Sequence, residues 1–537
     1  MNSRLVRFAA APLALLLSAA AVPADEAAAD RVRGHVQFLA SDELEGRATG
    51  SRGYAVAAQY VAAQFASLGL RPGGTGGGWY LQVPFRRATH VSPPQVRLRV
   101  RGRTTALAHG IDVSLQPSLL EKNRSIDAAL VFVGHGLNEQ ALGLDDYAGL
   151  DVRGKIVVAF SGSPTGLPTE VRAHLDASKP EAAARRGALG LIEIPVEPTG
   201  APRRFGSLGR PRLDWIDTAG KTGATSLLGA RLAMTAKTAE QLFEGARTPL
   251  ASLRAQAKSR RPVRGFAIPA RLTINAQSSW HDFSSPEVIG LLPGSDPELA
   301  GEYVVLMGHL DHLGVKEDAK PGEDAIYNGA LDNAAGIATM LEAAREFVQS
   351  GKRPRRSILF IANTGEEQGL LGADYFASHP TVPIKQIVAA VDLDMPLLTY
   401  DFTDVVAFGA DHSTVARTVA QAARGMGIAV SPDPMPEQSI FVRSDHYQFV
   451  RRGVPAILLF TGYANGGKAR WDHFFASVYH TPKDDLGQPI NWKSGARYAK
   501  LNYEIARALA DADARPRWYR GDYFGDRFAP GEPRAER

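Results

Sequence analysis

The segment 308–314 reads GHLDHLG and directly follows the apolar run 304–307, VVLM. Residues two apart in a strand point to the same side, so His309 and Asp311 are expected to project together from the strand's end. An imidazole paired with a carboxylate can be a metal ligand, because the carboxylate holds the ring in one tautomer. A His-x-Asp pair alone is weak evidence, and its interpretation depends on the motifs that follow it.

Further acidic residues and a histidine follow apolar stretches downstream. Asp332 precedes a helical pattern that runs from Ile337 to Val348, which places its carboxylate near a helix N-terminus. Predicted strands at 357–362, 387–391 and 456–460 lead to the other candidates: Glu366, Glu367, Asp392, Asp394, Tyr479 and His480. Strands alternating with helices predict a doubly wound α/β domain, whose ligand site lies beyond the carboxyl ends of its strands.

In this order the motifs resemble the co-catalytic zinc aminopeptidase family, which includes bacterial leucyl-type aminopeptidases and relatives of glutamate carboxypeptidase. The segment 38–47, FLASDELEGR, is part of the same resemblance. The resemblance implies a zinc-exopeptidase α/β/α domain with a central mixed sheet, two zinc ions per chain and peptide substrates.

The resemblance also implies a metal-binding role for five residues. His309 and Asp394 would hold one zinc ion. Glu367 and His480 would hold the other, and Asp332 would bridge the two. Imidazole and carboxylate are ligands that zinc prefers. Two zinc ions and a set of three carboxylates with a hydroxide nearly cancel in charge, which suits a partly buried place.

Four more residues take roles from the resemblance. Asp311 would orient His309, and Glu366 would be the general base that accepts a proton from the attacking water. Tyr479 would donate to the developing oxyanion. Arg443, in the segment RSDH at 443–446, would contact the substrate. One departure is visible, since many relatives have an Asp where this chain has Leu331.

Each candidate also has a structural interpretation when it is taken alone. Asp332 could be only a helix cap, and Glu366 and Glu367 could be solvated surface at a strand end. The joint occurrence of the motifs favours a site instead. Other histidines have no such support and are expected to be structural: His312, His412, His446 and His473.

Three classes of function fit these motifs. The first is an aminopeptidase that removes N-terminal residues from peptides. The second is another enzyme on the same fold, either a carboxypeptidase or a glutaminyl cyclase, and the cyclases use one zinc ion. The third is a noncatalytic binding relative, which would have lost ligands or the base. All five ligand positions and Glu366 are filled here, which favours hydrolysis.

The start of the chain predicts export. Residues 1–24 combine Arg4 and Arg7 with an apolar stretch and the small-residue end VPA, which is typical of a signal peptide. The 537 residues include no cysteine, so a lipid-bearing cysteine anchor and disulfides are excluded. A net charge of +5 without long basic runs does not indicate nucleic acid. We expect a periplasmic or extracellular protein without a membrane anchor, and the sequence does not indicate its oligomeric state.

The domain organisation is predicted from changes of pattern along the chain. A split catalytic domain would comprise residues 25–114 and 276–513. The β-rich segment 115–275 resembles the protease-associated domain that is inserted in many of these enzymes, and it would be noncatalytic. Residues 514–537 are rich in Arg, Pro and Gly, which predicts a surface or partly disordered tail.

Overall fold

The structure is a computed structural model that describes residues 24–223, 228–259 and 263–537. The predicted signal segment 1–24 therefore lies outside the described residues, apart from its last position. Within the described ranges, each helix is too short or too polar to cross a bilayer.

The helices follow the chain in this order: α1 (Ala24–Leu39), α2 (Arg52–Ser67), α3 (Thr169–Arg185), α4 (Phe205–Leu208), α5 (Ala236–Leu242), α6 (Leu250–Lys258), α7 (Ala335–Gln349), α8 (Leu371–Ser378), α9 (Val415–Gly425), α10 (His446–Val450), α11 (Gly467–Ser477), α12 (Trp492–Asp511) and α13 (Tyr523–Phe528).

The strands are β1 (Arg71–Pro72), β2 (Tyr80–His90), β3 (Gln95–Val100), β4 (Arg103–Leu107), β5 (Val113–Leu115), β6 (Asn123–Phe132), β7 (Asn138–Glu139), β8 (Leu144–Asp145), β9 (Ile156–Phe160), β10 (Gly190–Ile194), β11 (Arg212–Trp215), β12 (Ala230–Met234), β13 (Phe266–Leu292), β14 (Tyr303–His309), β15 (Gly314–Val315), β16 (Ile326–Tyr327), β17 (Ser357–Asn363), β18 (Ile387–Asp392), β19 (Asp404–Phe408), β20 (Ala429–Val430) and β21 (Ala456–Thr461).

A mixed sheet positions the candidate residues. Its centre is the parallel set β17-β14-β18-β21, flanked by antiparallel β13 on one side and antiparallel β19 on the other. The predicted α/β class with a central mixed sheet is confirmed. Parallel strands read as continuous apolar runs because helices cover both faces, and residues 304–309 of β14 are all buried. Helices α1, α7 and α12 pack against one another, and α7 and α12 also contact β14.

A second sheet is built largely from residues 115–275, the segment predicted to be an inserted domain. This part of the chain is called the second-sheet segment below. The strand order of this sheet is β4-β3-β13-β6-β9-β10-β12-β5, and it has an apolar core of its own. The long strand β13 belongs to both sheets, because its first half pairs with β3 and β6, whereas its second half pairs with β2 and, at residues 288–292, with β17. Since β3 and β4 belong to the second sheet, this unit begins before residue 115.

The C-terminal tail differs from the expectation of a surface or partly disordered segment. Trp518 and Phe524 are buried, at 2% and 0% exposure. The indole nitrogen of Trp518 donates to the carbonyl of Gly453 at 2.9 Å, and Arg527 lies 3.1 Å from the carboxylate of Glu139 in the second-sheet segment. Aromatic burial outweighs the polar composition and holds the tail against both parts of the molecule.

Candidate metal centre and substrate cleft

His309 is the last residue of β14 and is buried. Its Nδ1 donates to the backbone carbonyl of Asp311 at 2.9 Å. The Nε2 atom then faces carboxylate oxygens of Asp332 and Asp394, each at 3.1 Å. A neutral imidazole with its proton on Nδ1 presents a lone pair at Nε2. Lone pairs from three side chains thus converge, which is an arrangement that a cation stabilises.

Asp311 contacts His309 through its main chain and not through the predicted carboxylate. The carboxylate accepts hydrogen bonds from the Thr49 hydroxyl at 2.9 Å and from the backbone N–H of Glu366 at 3.2 Å. Asp311 therefore links the end of β14 to the turn that carries the two neighbouring glutamates.

Asp332 lies in an irregular turn three residues before α7, with φ −115° and ψ 87°. Two backbone amides of this turn donate to one carboxylate, since the N–H groups of Leu331 and Asp332 each lie 2.9 Å from Asp484. Asp484 is fully buried. Burial raises the pKa of the Asp484 carboxyl group to about 6, although the positive charge of His312 acts to lower this pKa. Asp484 thus holds the backbone from which the Asp332 side chain projects.

Glu367 and His480 form the other half of the cluster. The Nε2 atom of His480 lies 3.2 Å from an oxygen of Glu367 and 3.2 Å from the second oxygen of Asp332. The remaining Glu367 oxygen lies 2.6 Å from Nδ1 of His312. His312, expected to be only structural, therefore contacts a candidate ligand and restrains its orientation.

Asp394 follows β18 and is positioned by a hydroxyl. The Oγ atom of Ser444 lies 2.8 Å from an oxygen of Asp394 and 2.8 Å from an oxygen of Asp392. The backbone N–H of His446 also donates to Asp392 at 3.1 Å. The carboxylate pair and the segment 444–446 thus form one buried network behind the cluster.

The electrostatics of the cluster favour bound cations. Burial lowers the pKa of His309, but the negative charge of Asp394 and Glu366 raises it well above its ordinary value. Burial likewise lowers the pKa of His480, whereas hydrogen bonds with Asp332 and Glu367 raise it to about 10. Ligand atoms of His309, Asp332 and Glu367 all lie within 4.8 Å of one another. The donor set matches the imidazole and carboxylate ligands of zinc.

Glu366 and Tyr479 border the cluster on its open side. Burial raises the pKa of Glu366 well above its ordinary value, although the His309 charge opposes the shift. Burial and the carboxylates of Asp332 and Glu366 raise the pKa of Tyr479, so its phenol stays protonated. The ring of Tyr479 stacks on that of His480 with centroids 3.7 Å apart. A protonated phenol at this place can donate a hydrogen bond into the cleft.

Arg47 ties the two ligand-bearing turns together from behind. Its guanidinium donates to the carbonyls of Leu310 at 2.9 Å, Asn328 at 2.6 Å and Gly329 at 3.1 Å. The side chain is 1% exposed. One buried cation thus joins the segment after His309 to the segment before Asp332, and this explains why the motif at 38–47 belongs with the site.

Two cavities open from the cluster. The larger is a cleft of about 460 Å³ that Glu366, Glu367, Tyr479 and His480 border on one side. Residues of the second-sheet segment, including Ser178 of α3, form its other wall. The smaller is an apolar recess beside Asp332 and Asp394, and its apolar lining consists of Met395, Ile440, Leu458, Phe460 and Phe475. Arg443 borders both cavities.

The part of the chain that contains the candidate site is similar to a known protein family. Residues 287–506 match the family model described as peptidase family M28. This part of the chain is therefore similar to peptidase family M28, and it is called the M28-like region below. The predicted resemblance is thereby confirmed.

The similarity to individual relatives extends over less of the chain. A vacuolar membrane protease of Sclerotinia sclerotiorum is 32% identical over 157 residues, which are 29% of this chain and 13% of that protein. A probable zinc metalloprotease of Pyrenophora teres f. teres is 37% identical over 109 residues, 20% of this chain and 22% of that one. The chain therefore spans under a quarter of the length of these two relatives.

A solved structure supports the fold over most of the chain. The aminopeptidase from Aneurinibacillus sp. strain AM-1 aligns with a TM-score of 0.50 and 22% identity over 90% of this chain and 93% of that one. At this level of identity the similarity concerns the fold alone.

The M28-like region, residues 287–506, contains every residue that the sequence predicted for the site. The structure brings the five candidate ligands together, with Glu366 and Tyr479 beside them. Arg443 lies at the cleft. Sequence reasoning missed Asp484, His312 and the Ser444 hydroxyl. Asp484 follows the segment YHT at 479–481 closely, but no periodicity or motif pairs it with the Asp332 backbone.

Proposed function

We propose that the protein is an exported zinc-dependent aminopeptidase. The observation that carries this proposal is the convergence of two imidazoles and three carboxylates at one mouth of a cleft, where all but the partly exposed His480 are buried. Buried carboxylates in such proximity repel one another unless cations lie among them. The carboxyl ends of β14, β17 and β18 lead directly into this cluster.

Two zinc ions per chain fit these donors. His309 and Asp394 would hold one ion, Glu367 and His480 the other, and Asp332 would share its two oxygens between them. Zinc in such sites supplies a Lewis acid that lowers the pKa of water and polarises a carbonyl group. A count of two ions agrees with the position of Asp332, because each of its carboxylate oxygens faces a different histidine, at 3.1 Å and 3.2 Å.

Glu366 is proposed as the general base. Its carboxylate adjoins the ligand Glu367 without being needed to hold a metal, so it is free to accept a proton from the attacking water. It then returns the proton to the leaving amine. A pKa raised by burial suits a group that both accepts and donates a proton. Tyr479 would stabilise the oxyanion by donating its phenolic hydrogen.

The apolar recess is proposed to hold the N-terminal side chain of the substrate. Its walls are aliphatic and aromatic, from Ile440, Leu458, Phe460 and Phe475. An apolar N-terminal residue such as leucine would lose contact with water there. The acidic cluster next to the recess would attract the free α-amine.

The alternative enzyme functions make different demands on the substrate. A carboxypeptidase needs a cation for the C-terminal carboxylate close to the metal pair, and exposed Arg443 at the junction of the two cavities is compatible with that. A cyclase needs one metal only, whereas the cluster here has donors for two.

The second-sheet segment is proposed as a noncatalytic protease-associated domain.

An assay of purified, zinc-loaded protein tests the aminopeptidase proposal. Leu-Gly-Gly should release leucine, and N-acetyl-Leu-Gly-Gly should not be cleaved, because acetylation removes the amine. A chelator should abolish turnover and added zinc should restore it. Efficient cleavage of the acetylated peptide at its C-terminal bond would instead establish a carboxypeptidase.

A further inference from the structure

The cleft beyond the metal-ligand cluster has an unequal balance of charge. Outside the cluster, the acidic residues of its lining each have a basic neighbour: Glu181 contacts Arg185, Asp214 lies 3.5 Å from Arg212, and Asp374 lies 3.6 Å from Arg452. These carboxylates are therefore already compensated before any substrate enters.

Two arginines of the same lining are not compensated in this way. Among the described residues, Arg443 donates to the carbonyl and side-chain oxygens of Gln438, at 3.4 Å and 3.3 Å. Arg451 donates to the side-chain oxygen of Gln448 at 3.2 Å. Across residues 24–223, 228–259 and 263–537, no carboxylate forms an ion pair within 4.0 Å of either guanidinium. Both are free to accept an anionic partner.

The positions of the two arginines follow from the chain. Helix α10 separates them, with Arg443 three residues before its start and Arg451 directly after its end. Arg443 borders the apolar recess and the cleft, whereas Arg451 borders the cleft alone. The pair thus extends from the apolar recess, which is proposed to hold the N-terminal residue, into the cleft.

We propose that Arg443 and Arg451 bind a carboxylate on the leaving part of the substrate, an inference that rests on the proposed aminopeptidase function. A guanidinium offers parallel N–H donors that match a carboxylate in a two-point contact. With the amine at the acidic cluster and a carboxylate at the arginines, a short peptide is held at both ends. The enzyme therefore prefers short peptides with a free carboxylate near the cleaved bond.

The carboxylate has two sources in a peptide. One is the terminal carboxylate of a dipeptide or tripeptide, and the other is an aspartate or glutamate side chain just after the cleaved bond. Three substrates separate these sources: Leu-Gly-Gly, its C-terminal amide, and Leu-Asp-Gly-amide. All three keep the free amine and the leucine, so they share the requirements of the proposed function.

The measurement is kcat/KM for the three substrates with the zinc-loaded full chain. We expect Leu-Gly-Gly to exceed its amide by about tenfold or more, as for a hydrogen-bonded charged pair. If kcat/KM for Leu-Asp-Gly-amide returns to the value for Leu-Gly-Gly, the two arginines also accept a side-chain carboxylate. If kcat/KM stays as low as for the Leu-Gly-Gly amide, they accept the terminal carboxylate. Equal kcat/KM for all three substrates would overturn the proposal. Cleavage of none of them would overturn the proposed function itself.

Variants locate the effect. Arg451→Gln should lower the acid-to-amide ratio, mainly through KM, because Arg443 alone then binds the carboxylate. Arg451→Lys should retain more of the ratio because the charge remains. Arg424→Gln is a matched control, since Arg424 is an exposed arginine of α9 outside the cleft lining, and it should keep the wild-type ratio. Zinc content and thermal unfolding of each variant show whether it is folded. A wild-type ratio in folded Arg451→Gln would refute the role of Arg451.

Discussion

Asp484 accepts the backbone N–H of Asp332 at 2.9 Å with one carboxylate oxygen and the N–H of Leu331 with the other. The two aspartates are 152 positions apart in sequence, and Asp484 does not need to touch a metal ion to affect binding. By fixing the turn it fixes the direction of the Asp332 side chain. Contacts of this kind orient metal ligands and tune their affinity.

The contact between Asp484 and the backbone of the Asp332 turn is predicted to support zinc binding. Asp484→Asn keeps one acceptor oxygen and turns an NH₂ group toward the second amide, so one buried N–H loses its partner. We expect zinc affinity to fall about 10–100-fold, measured by competition with a chelator of known affinity. Asp485→Asn is the matched control, because Asp485 accepts from the N–H of Gly487 and lies outside the ligand turn. An equal loss in both variants would contradict the role given to Asp484.

The adjacent glutamates are predicted to differ. Both oxygens of Glu367 are engaged, one by His480 at 3.2 Å and one by His312 at 2.6 Å, whereas Glu366 borders both cavities. Glu366→Gln should keep its zinc and lose a factor on the order of 10²–10⁴ in kcat, as for a missing acid–base group. Glu367→Gln should lose zinc first. Metal analysis with kinetics checks this, and similar zinc loss in both variants would show that the roles are misassigned.

A pH-dependent stability is predicted for the contact between the tail and the second-sheet segment. Nδ1 of His412 lies 2.6 Å from Asp522 of the tail, and its Nε2 lies 3.4 Å from Glu170 of α3. Burial lowers the pKa of His412, but the two carboxylates raise it to about 9. A raised pKa means that the charged form is favoured in the folded state. Charged His412 therefore contributes its full stabilisation below about pH 6.5, the ordinary pKa of histidine. This stabilisation is lost as the pH rises through about 9.

The corresponding measurement is denaturant unfolding at pH 6 and pH 10. His412→Gln should reduce the free energy of unfolding at pH 6 by on the order of 2–3 kcal/mol. The difference from wild type should shrink markedly at pH 10. His281→Gln, at an exposed histidine, should show no such pH-dependent difference. A constant deficit for His412→Gln at both pH values would mean that packing and not charge is responsible.

Much of the site could be predicted from sequence because its ligands follow strands. Continuous apolar runs such as 304–307 and 387–391 identify buried parallel strands, and such strands bring their carboxyl ends to one edge of a sheet. His309 and Asp394 could therefore be placed together without a structure. The contacts of Asp484 and His312 could not, since they depend on how loops fold back and have no periodicity.

The start of the second-sheet segment and the burial of the tail could not be predicted from sequence patterns. The alternation in QVRLRV at 95–100 is typical of a strand, but a period of two does not indicate which of two sheets the strand joins. In the tail, composition suggested exposure, whereas Trp518 and Phe524 supply enough apolar surface to be buried. Residue type at a few positions outweighed average composition there.

The zinc content of the protein is the most direct test of a centre that holds two zinc ions. Metal-free protein would be titrated with zinc, and bound metal and leucine release from Leu-Gly-Gly would be followed together. The convergence of Asp332 with both histidines predicts about two zinc ions per chain in wild type, and Asp332→Ala should weaken both. Full activity with a single tight zinc ion, or hydrolysis that survives complete removal of metal, would contradict it.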